Sequence, residues 1–108
     1  MRVLIPVSEG FGLCEEIFEY FSKAPKYVVL DITDSKIDSI EVVENVFISE
    51  GDEFKVSDMI HSLNINAIVC CKINSEIAGR FKEYNIRVYD GYCSTIIDAV
   101  KKLFKAST

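Results

Sequence analysis

Apolar residues fall along this chain in two patterns, unbroken runs and recurrences every three or four positions. Residues 2–7 (Arg2-Val3-Leu4-Ile5-Pro6-Val7) form an almost wholly apolar run with little alternation, as expected for a strand buried on both faces. Ser8-Glu9-Gly10-Phe11-Gly12 ends it. Leu13, Ile17 and Phe21 then recur at four-residue spacing, with Glu15 and Glu16 in what would be a first helical turn, where negative charge suits the helix dipole. Pro25 forbids continuation, so the pattern predicts a short helix of two to three turns over Leu13 to Phe21.

Tyr27 to Thr33 is a second apolar run and Ile37 to Asn45 a third, with mixed alternation. The intervening Thr33-Asp34-Ser35-Lys36 has the composition of a turn joining antiparallel strands. Val46 to Asp52 reads as a connecting loop. Val56, Met59, Ile60 and Leu63 follow the i, i+3, i+4, i+7 rule of a helix, which Asn64-Ile65-Asn66 breaks. Ala67 to Cys71 is again a buried strand. Asn74 or Ser75 can cap a helix with Ile77, Phe81 and Tyr84 on one stripe, closed by Asn85. Ile86 to Tyr89 is a short strand. Asp90-Gly91-Tyr92 turns into a last helix with Ile96, Ile97, Val100, Leu103 and Phe104 on one face, Ser94 as its expected cap, and Lys101, Lys102 and Lys105 toward its C-terminal end. The order predicts an α/β domain over residues 1–108, with five strands between layers of helix. Strands joined through helices should run parallel by right-handed crossovers.

Composition narrows the function more than the fold. At 108 residues the chain holds one domain. Twelve Lys plus Arg against seventeen Asp plus Glu give a net charge of −5, which argues against nucleic acid, whose phosphates need clustered cations. Fourteen Ile and eleven Val favour a sheet as the core. No apolar run approaches the ~20 residues of a membrane span, and the first residues lack the marks of a targeting peptide. The expectation is a soluble, cytoplasmic protein, a monomer or weak dimer. Four cysteines without C-x-x-C spacing are expected as free thiols. His61 sits one position off the apolar stripe of its helix, a half-exposed surface residue with no nucleophile to serve. Glu15, Glu16 and Glu19 read as a solvated helix face. The chain is poor in acid–base residues, and no enzyme activity is expected.

Three segments carry a resemblance. Met1-Arg2-Val3-Leu4-Ile5-Pro6-Val7-Ser8-Glu9 resembles the start of the dinitrogenase iron-molybdenum cofactor biosynthesis family. Glu19-Tyr20-Phe21-Ser22-Lys23-Ala24-Pro25-Lys26-Tyr27 is similar to that family's Glu-His-Phe-Gly-(Arg/Lys)-Ala-Pro segment, with Tyr20 where the family has His and Ser22 where it has Gly. Ile86 to Thr95 is similar to its closing strand, Gly turn and final helix start. The resemblance implies a three-layer ribonuclease-H-like fold with a mixed sheet of order 3-2-1-4-5. It also implies a non-enzymatic carrier or accessory of an iron–sulfur or iron–molybdenum cofactor or its precursor, with that cofactor or a cofactor-assembly protein as partner. The alternative is a cofactor-free regulatory module of the same fold, whose acidic surface would seek a basic protein partner. A nuclease on this fold would need clustered carboxylates starting on strand one, and Val3-Leu4-Ile5-Pro6-Val7 has none.

In the implied order strands one and four are neighbours whose connections leave in opposite directions, a switch point where α/β sheets place ligands. Cys14 follows strand one, Cys70 and Cys71 end strand four and Cys93 follows strand five, all on that side. Cys70 and Cys71 should face opposite ways, which leaves Cys14, Cys71 and Cys93 as candidate thiolate ligands for a soft metal or cluster. Packing as small hydrophobes is the alternative for each. Tyr20, and the helix starts at Ser75 and at Ser94-Thr95, are the candidate cofactor contacts, the helix starts offering backbone N–H groups to an anion.

Overall fold

The first strand, β1 (Arg2–Val7), is buried from Val3 to Val7 because the sheet continues on both sides of it and helices cover both faces. It pairs antiparallel with β2 (Lys26–Thr33), with Leu4 opposite Val29, and parallel with β4 (Ala67–Val69), with Leu4 opposite Ile68. β2 carries β3 (Lys36–Glu44) on its outer side, and β4 carries β5 (Arg87–Tyr89) in parallel, giving the mixed order β3-β2-β1-β4-β5. This computed structural model describes residues 1–107; Thr108, the last residue of the expected domain, lies outside them.

Three helices clothe the sheet. On one face α3 (Ile96–Ser107) buries Ile96, Ala99, Val100 and Leu103 against Val3, Ile5, Val28 and Leu30. On the other, α1 (Glu53–His61) and α2 (Ser75–Glu83) bury Val56, Ile60, Ile77 and Phe81 against Leu4, Tyr27, Val29 and Ile68. Alternation along β1 thus sends Val3 and Ile5 to one core and Leu4 to the other. Each such aliphatic side chain contributes about 1.5–3 kcal/mol on burial.

The local signals mostly agree with the sequence. Asp52 caps α1 by accepting from Phe54 and Lys55 N–H, and Asn74 caps α2 by accepting from Glu76 N–H. Asp34 and Ser35 both adopt positive φ (50° and 63°), the backbone of a two-residue turn that matches the right-handed twist of the β2–β3 hairpin. Asn85, after α2, takes the left-handed conformation at φ 62°. Thr95, rather than Ser94, caps α3: its Oγ1 accepts from Asp98 N–H and its carbonyl from Ala99 N–H.

The expected helix over Leu13 to Phe21 does not form. The segment is irregular until a single 3-10 turn at Phe21–Lys23. A helical stripe would have put Ile17 and Phe21 in one core, but the chain crosses the end of the sheet between them. Ile17 packs with the α3 core and Phe21 with the α1/α2 core. Four-residue spacing fits that crossing as well as it fits a helix, and the backbone bonds described below decide for it.

Asn45, just beyond β3, is a buried polar residue whose amide donates to the carbonyls of Ala24 (3.0 Å) and Ser22 (3.3 Å) and whose Oδ1 accepts from Phe47 N–H. It clamps the crossing segment to the end of the hairpin. Asn45→Ala leaves those groups without partners in a site closed to water, and urea denaturation should show a loss of about 1–3 kcal/mol.

Candidate functional site

The loops at the carboxyl ends of β1, β4 and β5 meet as expected, but the crevice between β1 and β4 is filled by the chain itself. Phe18 N–H donates to Pro6 O at 2.8 Å, Ile17 N–H to Ser94 O at 2.9 Å, Lys72 N–H to Glu19 O and Phe21 N–H to Lys72 O, both at 3.0 Å. Residues 17–21 therefore lie over the end of β1 and are bonded to the residues after β4 and before α3. The switch point is divided into a hollow on each side of this strap.

On the α3 side the helix start is already satisfied. Ile96 N–H donates to Glu15 O and Ile97 N–H to Leu13 O, both at 2.9 Å, while Asp98 and Ala99 N–H bond to Thr95. Ser94 and Thr95 thus belong to a helix entry whose first amides have internal partners, which corrects their assignment as an anion site. A hollow of ≈ 450 Å³ opens beside this entry, lined by Ser8, Glu9, Phe11, Cys14, Glu15 and Glu16. Its charge is negative.

Glu15 organises that loop, so it is no part of a solvated helix face. Its two carboxylate oxygens accept from four successive backbone N–H groups, Ser8 (3.0 Å), Glu9 (2.8 Å), Gly10 (2.7 Å) and Phe11 (3.0 Å). Such a nest of amides is an anion site, and here the anion is the chain's own side chain. Partial burial pushes the carboxyl's pKa up, but the four N–H donors outweigh it and hold the group below its ordinary range. Gly10, at φ 79°, gives the loop its curvature, and a Cβ there would come to 3.0 Å from Val42.

The cysteines do not assemble as a thiolate triad. Cys71 and Cys93 are joined in a disulfide, with their Cα atoms 4.6 Å apart, which corrects the expectation of free thiols and withdraws both from metal binding in this state. Cys14 is exposed and free. Cys70 is free but wholly buried in the opposite core from Cys71, and burial first, then the charge of Asp90, pushes its thiol up to about 12, an unreactive state. Among the described residues no three of His, Cys, Asp and Glu are grouped so as to hold a metal ion. His61 stacks on the Tyr84 ring at 3.8 Å, on an exposed flank of α1.

On the α1/α2 side lies a hollow of ≈ 340 Å³ lined by Tyr20, Lys23, Glu53, Lys72, Ile73 and Asn74. Tyr20 is half exposed, and its ring lies under two ammonium groups, Lys72 at 5.5 Å and Lys23 at 5.6 Å. Lys72 also pairs with Glu19 at 2.9 Å. Asn74, the α2 cap, brings the positive end of that helix dipole to the rim, and Ser75 follows it, exposed. Of the candidate cofactor contacts, Tyr20 and the Ser75 helix start thus meet at one hollow, and Ser94 and Thr95 belong to the other side. The two lysines had no motif of their own. Their signal was position: Lys23 is three residues past Tyr20 in the family-like segment, and Lys72 directly follows the strand-end cysteines.

A mixed sheet of this order, with helices on both faces and its loop chemistry gathered at one end, defines a class of small α/β proteins. Within it, the model described as dinitrogenase iron-molybdenum cofactor matches residues 1–106, and the chain belongs to that family. It is 21% identical over 103 residues to protein MJ0580 of Methanocaldococcus jannaschii, covering 94% of this chain and 83% of that one. Among solved structures it is similar to PH0822, with a TM-score of 0.85 and 24% identity over 98% of this chain and 90% of that one. It is also similar to the apo form of the orange protein from Desulfovibrio gigas, with a TM-score of 0.84 and 16% identity over 97% and 88% of the two chains. At these identities the likenesses show the fold.

Glu15→Gln tests the loop. A depressed carboxyl contributes stability that is present above its unfolded pKa of about 4.3 and is lost as pH falls through the lower folded value. The variant should lose about 1–3 kcal/mol at pH 7 in urea denaturation. The gap to the parent should narrow below about pH 4, as the parent's own carboxylate takes up its proton.

Proposed function

We propose that this chain is a non-enzymatic carrier or accessory of a metal–sulfur cofactor or its precursor, held as an anion in the Tyr20 hollow and without protein thiolate ligands. The observation that carries this reading is Tyr20 itself. It stands where the family-like segment has its histidine, and it lies beneath the Lys23 and Lys72 ammonium groups at the start of α2. Membership of a family named for the iron–molybdenum cofactor supports the class of cargo.

Charge selects between the two hollows. Thiometallates and iron–sulfur species are anions, and the hollow lined by Glu9, Glu15 and Glu16 repels them. In the Tyr20 hollow the cations are held lightly. The Lys72–Glu19 pair is more than half exposed, and such a pair is worth about 0–1 kcal/mol. A multiply charged anion therefore draws Lys72 away from Glu19 at little cost. The tyrosine ring supplies an apolar, polarisable wall where the family's histidine would supply a ligand nitrogen, so contact is by charge and packing.

Tetrathiomolybdate, an anionic molybdenum–sulfur species, is a direct probe. Titrated anaerobically and followed by its visible absorbance, it should bind saturably and more weakly as salt rises. The Lys23→Ala/Lys72→Ala double variant should bind at least ~10-fold more weakly, the equivalent of about 1.4 kcal/mol, whereas Cys14→Ser should bind as the parent does. Absence of saturable binding, or binding indifferent to both lysines, overturns the reading.

A further inference from the structure

The Cys71–Cys93 pair has no part in the Tyr20 hollow. A disulfide stabilises a fold chiefly by restricting its unfolded chain. Here the two segments are already held by backbone. Cys70 N–H donates to Tyr89 O at 2.9 Å, Tyr92 N–H to Cys70 O and Gly91 N–H to Cys71 O, both at 3.0 Å. On its other side Cys93 is followed by Ser94, whose carbonyl accepts from Ile17 N–H. Both flanks of Cys93 are thus pinned, one to the end of β4 and the other to the strap. The two Cα atoms lie 4.6 Å apart, and these backbone bonds hold the two segments side by side independently of the sulfurs.

The chemistry of the pair differs at its two ends. Cys71 is buried at 8% exposure in the α3 core, and Cys93 is exposed. Cys93, at the exposed end, is the sulfur open to a reductant. From these observations we propose that Cys71 and Cys93 form a soft-metal site opened by reduction and closed by oxidation, with Cu(I) as the ion that fits it.

Opening follows ordinary thiol–disulfide exchange with a small dithiol. One thiolate of the dithiol attacks Cys93 Sγ, forming a mixed disulfide and releasing Cys71 as the leaving thiolate, which takes a proton. The second thiolate of the reductant then attacks its own sulfur in the mixed disulfide and releases Cys93, which also takes a proton. The reductant departs as a cyclic disulfide, and the protein has gained two electrons and two protons. A metal ion binding both sulfurs displaces those two protons. A cyclic disulfide of the same kind, attacked in turn by the two protein thiolates, takes up the two electrons and two protons to become the dithiol, re-forms the Cys71–Cys93 bond and so expels the ion.

The ligand count selects the metal. Zinc takes four ligands in structural sites, or three and a water in catalytic ones, and no third His, Cys, Asp or Glu joins these two among the described residues. Thiolates favour Cu(I) among soft ions, and Cu(I) is satisfied by two sulfurs. The free Cys14 and Cys70 offer no comparable partner, Cys70 being sealed in the opposite core.

The test uses the whole chain, reduced with dithiothreitol, desalted anaerobically and titrated with Cu(I) in competition with the chelator bathocuproine disulfonate. The reduced protein should retain about one Cu(I) per chain against the chelator, and the oxidised protein none. Cys93→Ser, at an exposed position, should lower retained copper at least tenfold, as should Cys71→Ser. Cys14→Ser should leave it unchanged. Far-UV circular dichroism should be the same before and after reduction, because the backbone bonds remain. Equal copper retention by the parent and Cys93→Ser, loss of copper with Cys14→Ser, or loss of the folded signal on reduction each overturns the proposal. The lysine variants should not affect copper retention, so failure of this site and failure of the Tyr20 hollow are separate results.

Discussion

The structure depends on one stretch of backbone, residues 17–21, laid over the end of β1. An α/β sheet with neighbouring strands connected in opposite directions leaves a crevice at its carboxyl end, and exposed amides and carbonyls there must find partners. In this chain the strap supplies them. Phe18 closes on Pro6, Ile17 on Ser94, and Glu19 and Phe21 on Lys72. The same stretch carries an apolar side chain into each core, Ile17 on the α3 side and Phe21 on the α1/α2 side. The place where an open sheet would accept a ligand becomes a wall between two shallow hollows.

That wall sorts the chemistry. On one side are the acids and the amide nest already filled by Glu15. On the other are two lysines, a tyrosine ring and the start of α2. Between them the Cys71–Cys93 pair lies against the backbone that fixes it. Neither hollow holds a group of carboxylates, thiols and imidazoles able to bind a metal without rearrangement.

Most of the fold was legible in the sequence because its determinants are local or periodic. The apolar runs gave the strands, Asp34-Ser35 the hairpin turn, and the stripe of Ile96, Val100 and Leu103 the last helix. The strand order came from the family resemblance and is the order observed. The misread stretch, Leu13 to Phe21, shows the limit of periodicity. Residues four apart face the same way on a helix, but they also reach opposite faces of a sheet when the chain steps over its end. The choice lay with distant backbone partners at Pro6, Lys72 and Ser94, which no local window contains. Part of the site fared likewise. Tyr20 and the Asn74 cap of α2 line one hollow, whereas the Ser94-Thr95 helix start has its amides taken by Leu13 and Glu15, because the stretch before it runs as a strap rather than a helix.

Residue chemistry and patterning by themselves determined a five-stranded α/β fold of acidic balance, and the family resemblance added the strand order that gathers the four thiols toward one sheet end. Local patterning and alternation suffice for that, because burial of apolar faces is insensitive to exact partners. Tertiary structure alone decided which thiols meet. It paired Cys71 with Cys93, sealed Cys70 in the opposite core and left Cys14 outside, because side-chain direction at a strand end depends on register and on what packs against it. It likewise brought Lys23 and Lys72, forty-nine positions apart in the chain, over one tyrosine ring. Charge pattern along a sequence cannot announce such a meeting, since only the path of the backbone makes it.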